Sequence, residues 1–323
     1  MPGGAAPSVF SCSFDRGGSS LMRIGILGAG ALGTLFGYQL AREHDVTMLE
    51  IRAATIEAVQ RDGLRVGDEP PRRVAITNQP RDLFASQMLF LFIRATDTMR
   101  ALRPFTRNLD PACAIVSLQN GIANEDAVKA VLGGNVALVI GATTEAALTT
   151  APGAARPVGT GSTILGPGGA SPDVCARVAR VLTDAGFPAS VAYDIRPHLW
   201  GKLIANAAIN PVATLLDRPN AVVLDDPNAS EIARSLAQEA ATVASAMRIA
   251  LPFSDPWAYV RAIVEQTAAM RNSMLADVTS GAPSEIEHIN GAVVAAGRRA
   301  AVPTPYNETM FRLVRAREGL SPE

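Results

Sequence analysis

The chain has 323 residues, more than one hydrophobic core usually serves, so two domains are expected. Its 29 basic residues nearly cancel its 30 acidic ones, and a formal charge of -1 argues against long-range attraction to nucleic acid or to an anionic membrane surface. A small-molecule partner is favoured.

The longest apolar stretches, Val136 to Leu148 and Ile204 to Leu216, are interrupted by Thr, Glu or Asn and fall short of a membrane span, so a soluble protein with no membrane partner is expected. Cys12, Cys113 and Cys175 are far apart and lack Cys-x-x-Cys spacing, which suggests neither a disulfide framework nor a zinc site and fits a reducing cytoplasm. His44, His198 and His288 are equally scattered, and no catalytic metal is expected.

Residues 1–21 are rich in Gly, Ser and Pro and lack the charged start and apolar core of a secretory signal. They read as a disordered extension, with Met22 opening the folded chain. From there short apolar runs alternate with helix-like stretches. The strands are expected at Met22 to Leu27, Val46 to Leu49, Met88 to Ile93, Ala114 to Leu118 and Val136 to Ile140. Helices are expected at Ala31 to Glu43, Thr55 to Arg61, Asp97 to Asn108, Asn124 to Val131 and, after a segment dense in Gly, Pro and Thr, Pro172 to Ala185. This is the pattern of a doubly wound α/β domain over residues 22–193.

After Tyr193 the pattern becomes one of long amphipathic stretches: Pro197 to Leu216, Ser230 to Ala250, Pro256 to Leu275, Ser284 to Ala301 and Pro305 to Glu318. Residues 194–323 are therefore expected to form an all-helical domain.

Directly after the first strand comes Gly28-Ala29-Gly30-Ala31-Leu32-Gly33, a G-x-G-x-x-G that opens a helix. Gly28 permits the tight turn, Gly30 lets a pyrophosphate approach the backbone, and Gly33 lets the helix pack closely on the strand. At the end of the second strand lie Glu50 and Arg52. An acid there suits the ribose hydroxyls of NAD, and an arginine suits the 2′-phosphate of NADP. A third reading makes Glu50 a solvated charge at the strand end.

Of the 29 basic residues only Lys129 and Lys202 are lysines. Arginine does not release its proton in a protein, whereas lysine can be tuned into a general acid. Lys129 sits on the exposed face of a crossover helix and suggests no special role. Lys202 lies in Trp200-Gly201-Lys202-Leu203, and with Asn206 and Asn210 it forms a polar stripe at four-residue spacing along an otherwise apolar helix. The stripe suits either a substrate site or bonding to a neighbouring helix or to solvent. Gln119-Asn120-Gly121 follows a strand at its carboxyl end, so Asn120 is either a ligand contact or part of an Asn-Gly turn. Ser284 and Glu287 have capping-box spacing, leaving Glu285 available for a site.

Taken together, these motifs, with Ser273-Met274-Leu275, Asp277 and Ile289-Asn290-Gly291, resemble the ketopantoate reductase family from Met22 to about Glu318. The resemblance implies a Rossmann domain followed by an all-α domain like that of 6-phosphogluconate dehydrogenase, with substrate in the cleft. It implies reduction of a small 2-keto acid, ketopantoate, to pantoate on the route to pantothenate and coenzyme A, with reduction of another 2-keto acid or non-catalytic dinucleotide sensing as alternatives. Lys202 would be the general acid, Asn120 would orient lysine and cofactor, and Glu285 would accept from the substrate hydroxyl. Asn206 and Asn210 would bind the hydroxyl end of the substrate, and Ser273 its carboxylate. The cofactor expected first is NADP(H), held by Gly28 to Gly33, Arg52 and Arg94, with Glu50 keeping NAD(H) open. A homodimer is left as an open partner.

Overall fold

A computed structural model of the chain describes residues 9–10 and 21–319. Packing divides the chain into two units: one takes residues up to Gln119 together with Asn124–Ile195, the other Asn120–Ala123 and everything from Arg196.

The first unit carries a nine-stranded sheet. Its members are β1 (Val9–Phe10), β2 (Arg23–Leu27), β3 (Asp45–Leu49), β5 (Ala75–Thr77), β6 (Met88–Leu91), β7 (Ala114–Ser117), β8 (Ala137–Thr143), β11 (Thr163–Pro167) and β12 (Ala189–Ala192), and they lie in the order β1-β12-β11-β8-β7-β6-β2-β3-β5. Every neighbouring pair is parallel except β11 on β8 and β1 on β12. All four residues of β6 and all four of β7 are buried, as expected for central strands covered on both faces.

Helices α1 (Ala31–Leu40), α2 (Ala53–Asp62), α3 (Thr98–Leu102), α4 (Asn124–Leu132) and α5 (Pro172–Asp184) link these strands. A separate three-stranded sheet joins β4 (Arg65–Val66), β10 (Ala154–Pro157) and β9 (Ala147–Ala151). The Rossmann-like architecture agrees with the expectation, but three details differ. Asp97 to Asn108 is not one helix: 3-10 turns at Ala95–Asp97 and Arg103–Phe105 flank α3, and Pro104, which has no N–H to donate, cannot continue the α-helical ladder. The Gly-rich 151–169 segment supplies β10 and β11. Val9–Phe10, placed in the expected disordered extension, form a strand on β12, with Val9 opposite Ala192; the rest of that extension, Cys12 included, lies outside the described residues. Cys113 and Cys175 are buried free thiols.

The second unit is helical. Its members are α6 (Arg196–Leu215), α7 (Val222–Asp225), α8 (Pro227–Ala246), α9 (Pro256–Thr267), α10 (Ser273–Thr279), α11 (Asn290–Arg299) and α12 (Pro305–Arg317). The long helix α6 packs against α8, α9, α10 and α12 through Leu203, Ile204, Ala207, Ala208 and Val212. Asp226 and Asp255 cap α8 and α9, each followed by a proline at the first helical position, where the missing N–H is not needed.

Two expected helices of this unit are interrupted. Pro256 to Leu275 breaks after Thr267 because the carbonyls of Ala268 and Met270 accept from the backbone of Ala221 and Asn220; Asn272 then caps α10 by accepting from Leu275 N–H at 3.0 Å. Ser284 to Ala301 begins as a 3-10 turn, Ile286–His288, and becomes α-helical only at Asn290. The expected capping box is absent. Ser284 Oγ accepts from Ile286 N–H at 3.2 Å, while the Ser284 N–H goes to Glu318 and not to Glu287. Glu287 is exposed and meets Arg315 at 3.2 Å. Among the described residues no helix is long and apolar enough to cross a membrane.

Candidate active site

The sheet register brings the motifs of the first unit to one edge. Leu27 of β2 pairs with Leu49 of β3 and with Leu91 of β6, and Leu91 pairs with Ser117 of β7, so all four strands end in line. Gly28, Glu50, Arg94 and Gln119 therefore all follow a carboxyl strand end, the edge at which open α/β sheets bind ligands. β2 lies between β3 and β6, where the strand order reverses.

Gly28 turns the chain with φ +97°, and a Cβ there would stand 2.8 Å from the Phe92 carbonyl. Gly33 packs tighter still, since a Cβ would lie 2.0 Å from the Gly28 carbonyl. A Cβ on Gly30 would meet nothing within 4 Å, so the loop is open on that side. Gly30 also starts α1 without a side-chain cap and with no acidic residue in its first turn. First-turn N–H groups with no side-chain acceptor beside an open glycine face fit the pyrophosphate of a dinucleotide.

Glu50 is only 5 % exposed, which rules out the solvated strand-end reading. Its Oε1 accepts from the backbone N–H of Ile51 at 2.8 Å and of Arg52 at 3.0 Å, and from Arg52 Nε at 3.0 Å. Its Oε2 accepts from Ala29 N–H at 2.9 Å, inside the glycine loop, and from Arg52 Nη2 at 2.7 Å. Burial pushes this carboxyl upward, but the donors of Arg52 and Ala29 outweigh it and hold the group down at about 2. Arg52 thus lies against Glu50 with its side chain 56 % exposed. Arg94 follows β6, partly buried, and its carbonyl accepts from Asp97 N–H at 2.9 Å.

In the second unit Lys202, Asn206 and Asn210 all fall on the continuous helix α6, so their four-residue spacing is realised as a stripe. Asn210 is buried, while Lys202 and Asn206 are partly so. Desolvation lowers the Lys202 amine to about 8, against an opposing pull from the Glu285 carboxylate. Glu285 precedes the 3-10 turn, and its Oε2 accepts from Asn120 Nδ2 at 2.9 Å. Gly121 beside it has φ +94°, and a Cβ there would come 2.9 Å from the His288 carbonyl. Asn120 is therefore both part of a tight Asn-Gly bend and a partner of Glu285. Ser273 is exposed at the first position of α10, which packs on α6. Lys129 pairs with Glu125 on α4 and belongs to neither group.

Two residues that belong to the sequence motifs carry structural roles that the sequence did not assign to them. Gln119 is buried and ties the ends of β6 and β7 to the start of α3: Nε2 donates to the Ile93 carbonyl and to Thr98 Oγ1, both at 2.8 Å, and Oε1 accepts from Ser117 Oγ at 3.0 Å. Asn290 donates to the Ala207 carbonyl at 3.0 Å, the acceptor that Pro211, lacking an N–H, leaves without its helical donor. The signal for this was a proline four residues after an apolar helical position, but its partner lies 83 positions away.

A Rossmann-like sheet with an open glycine loop, joined to a helical unit carrying a lysine with a lowered pKa, defines a nicotinamide-dinucleotide oxidoreductase. The family model "Ketopantoate reductase PanE/ApbA" matches residues 24–169, and its C-terminal counterpart matches residues 194–318. A 2-dehydropantoate 2-reductase from Archaeoglobus fulgidus is 35 % identical over 92 % of this chain and 98 % of its own length. Among solved structures, a ketopantoate reductase of that family from Ralstonia eutropha is 28 % identical, with TM-score 0.85 over 92 % of this chain and 99 % of its own. D-mandelate dehydrogenase bound to NADH and anilino(oxo)acetate is 26 % identical, with TM-score 0.86 over 92 % and 98 %. The chain belongs to the ketopantoate reductase family.

Proposed function

We propose that this protein reduces the C2 ketone of 2-dehydropantoate to the alcohol of pantoate, on the route to pantothenate and coenzyme A. The observation that carries this reading is the partly buried Lys202 amine, lowered to about 8 and facing the field of a carboxylate, Glu285, that is itself tied to Asn120. When bound, the dihydronicotinamide supplies the hydride that adds to C2. Lys202 donates a proton to the C2 oxygen as negative charge develops there, so one cation both stabilises and neutralises the oxyanion. A donor with a pKa near the working pH is the efficient choice.

Asn120 orients Lys202 and the cofactor, and Glu285 accepts from the substrate hydroxyl. Asn206 and Asn210 hold the hydroxyl end of the substrate, and Ser273, exposed at the start of α10, takes its carboxylate. Gly28 to Gly33 hold the dinucleotide. NADPH is the usual reductant of the family, and Arg52 and Arg94 are the cations that would meet its 2′-phosphate. The buried Glu50 stands against that choice.

A second reading keeps the chemistry and changes the substrate to an aromatic 2-keto acid, on the strength of the likeness to D-mandelate dehydrogenase. Loss of dihydronicotinamide absorbance, followed with ketopantoate and with phenylglyoxylate side by side, separates the two. A kcat/KM at least tenfold higher for ketopantoate is expected. The opposite order would transfer the assignment to the second reading, and turnover of neither would remove both.

A further inference from the structure

We propose that Glu50 makes this protein select NADH over NADPH by occupying, with its own carboxylate, the anion site that a 2′-phosphate would need. The proposal rests on reading Gly28 to Gly33 as the dinucleotide loop. In that class of site the adenine ribose lies at the carboxyl end of the second strand, where backbone N–H groups and an arginine meet a 2′-phosphate, or an acid meets the free hydroxyls. Here the donors at that place already have an acceptor. The N–H groups of Ile51 and Arg52, together with Nε and Nη2 of Arg52, all converge on Glu50 at 2.7 to 3.0 Å.

The carboxylate cannot readily leave. Its Oε2 also holds Ala29 N–H, so withdrawing it would strip an acceptor from the glycine loop, and at 5 % exposure it has little room to turn. Nor does it discharge, since the surrounding donors keep it ionised far below neutral pH. A 2′-phosphate would thus approach a fixed negative charge whose cationic partner is already bound to it. Ribose hydroxyls are donors and suit the same carboxylate. Arg52, with its side chain 56 % exposed, can swing outward to admit them, and this reverses the expectation that the resemblance attached to it.

The test uses the full chain without keto acid. Dissociation constants for NADH and NADPH are measured by nicotinamide fluorescence for the wild type, Glu50→Gln, Glu50→Ala and Arg52→Gln, each checked for folding by circular dichroism. The wild type is expected to bind NADH at least tenfold more tightly than NADPH. Glu50→Gln and Glu50→Ala should each shift that ratio at least tenfold toward NADPH. Arg52→Gln keeps the carboxylate and should leave the ratio within about threefold. Equal or tighter NADPH binding by the wild type overturns the proposal, as does a selective loss of NADPH binding in Arg52→Gln. If Glu50 variants fail to fold, the wild-type and Arg52→Gln ratios still decide it. Failure of both dinucleotides to bind a folded wild type would instead overturn the dinucleotide reading of the loop, and this proposal with it.

Discussion

Asn120 Nδ2 donates to Glu285 Oε2 at 2.9 Å, joining two positions 165 residues apart. Because Glu285 raises the Lys202 pKa while desolvation lowers it, Glu285→Gln should let the amine fall further below about 8. The high-pH limb of the pH–rate profile for keto acid reduction would then move to lower pH. An unmoved limb in this variant would show that Glu285 does not act on the amine.

For Lys202 itself the sign is set by the direction of proton transfer. Reduction needs the ammonium form, so kcat for reduction should fall about tenfold per unit as pH rises beyond about 8, while oxidation of the product, which needs the free amine, should rise over the same interval. Lys202→Ala should lose roughly two or more orders of magnitude in kcat, and Lys202→Arg should not restore it, because a guanidinium keeps its proton. Dinucleotide affinity should stay near normal in both. Wild-type turnover in either variant would end the proposed role.

Gly30 and Gly33 separate binding from folding. Gly30→Ala adds a methyl where there is open space, so stability should change by no more than about 0.5 kcal/mol while dinucleotide affinity falls about tenfold. Gly33→Ala drives a methyl against the Gly28 carbonyl and should cost about 1–3 kcal/mol of stability by overpacking. Thermal melts with and without dinucleotide measure both quantities, and equal melting losses in the two variants would contradict the assignment.

Asn290 and Pro211 should be coupled. Asn290→Ala leaves the buried Ala207 carbonyl without a donor and should cost about 1–3 kcal/mol. In a Pro211→Ala background the restored helical N–H can take that carbonyl, so the same substitution should cost measurably less. A double-mutant cycle by urea unfolding gives the answer, and strict additivity would refute the relationship.

Glu50 should show itself in acid. Its folded-state pKa of about 2 lies below the ordinary value of 4.5, so the stability it contributes is present above about pH 4.5 and is lost as pH falls toward 2. Glu50→Gln should flatten the pH dependence of the urea midpoint in that window. A dependence as steep as the wild type's would place the acid sensitivity elsewhere.

Much of this was legible without coordinates because it is local. Continuous apolar runs such as Met88 to Leu91 declare buried strands, a glycine fingerprint after a strand declares a loop, and the lysine–asparagine spacing on α6 depends only on helical periodicity. What escaped depends on distant partners. Pro256 to Leu275 has unbroken apolar periodicity, yet Asn220 and Ala221 take carbonyls of the 268–270 stretch and end the helix there. The Ser284–Glu287 spacing suggested a box, but Glu318, 34 residues on, supplies the acceptor. The solvated strand-end alternative for Glu50 stayed open because sequence does not show that Ala29 and Arg52 close around it.

The backbone enters the helical unit at Asn120, leaves it after Ala123 and returns at Arg196. A version cleaved between Ile195 and Arg196 would therefore carry Asn120 on one fragment and Glu285 on the other. Neither fragment alone would own both partners of the Asn120–Glu285 hydrogen bond, so complementation on mixing the two would be a direct reporter of that shared contact.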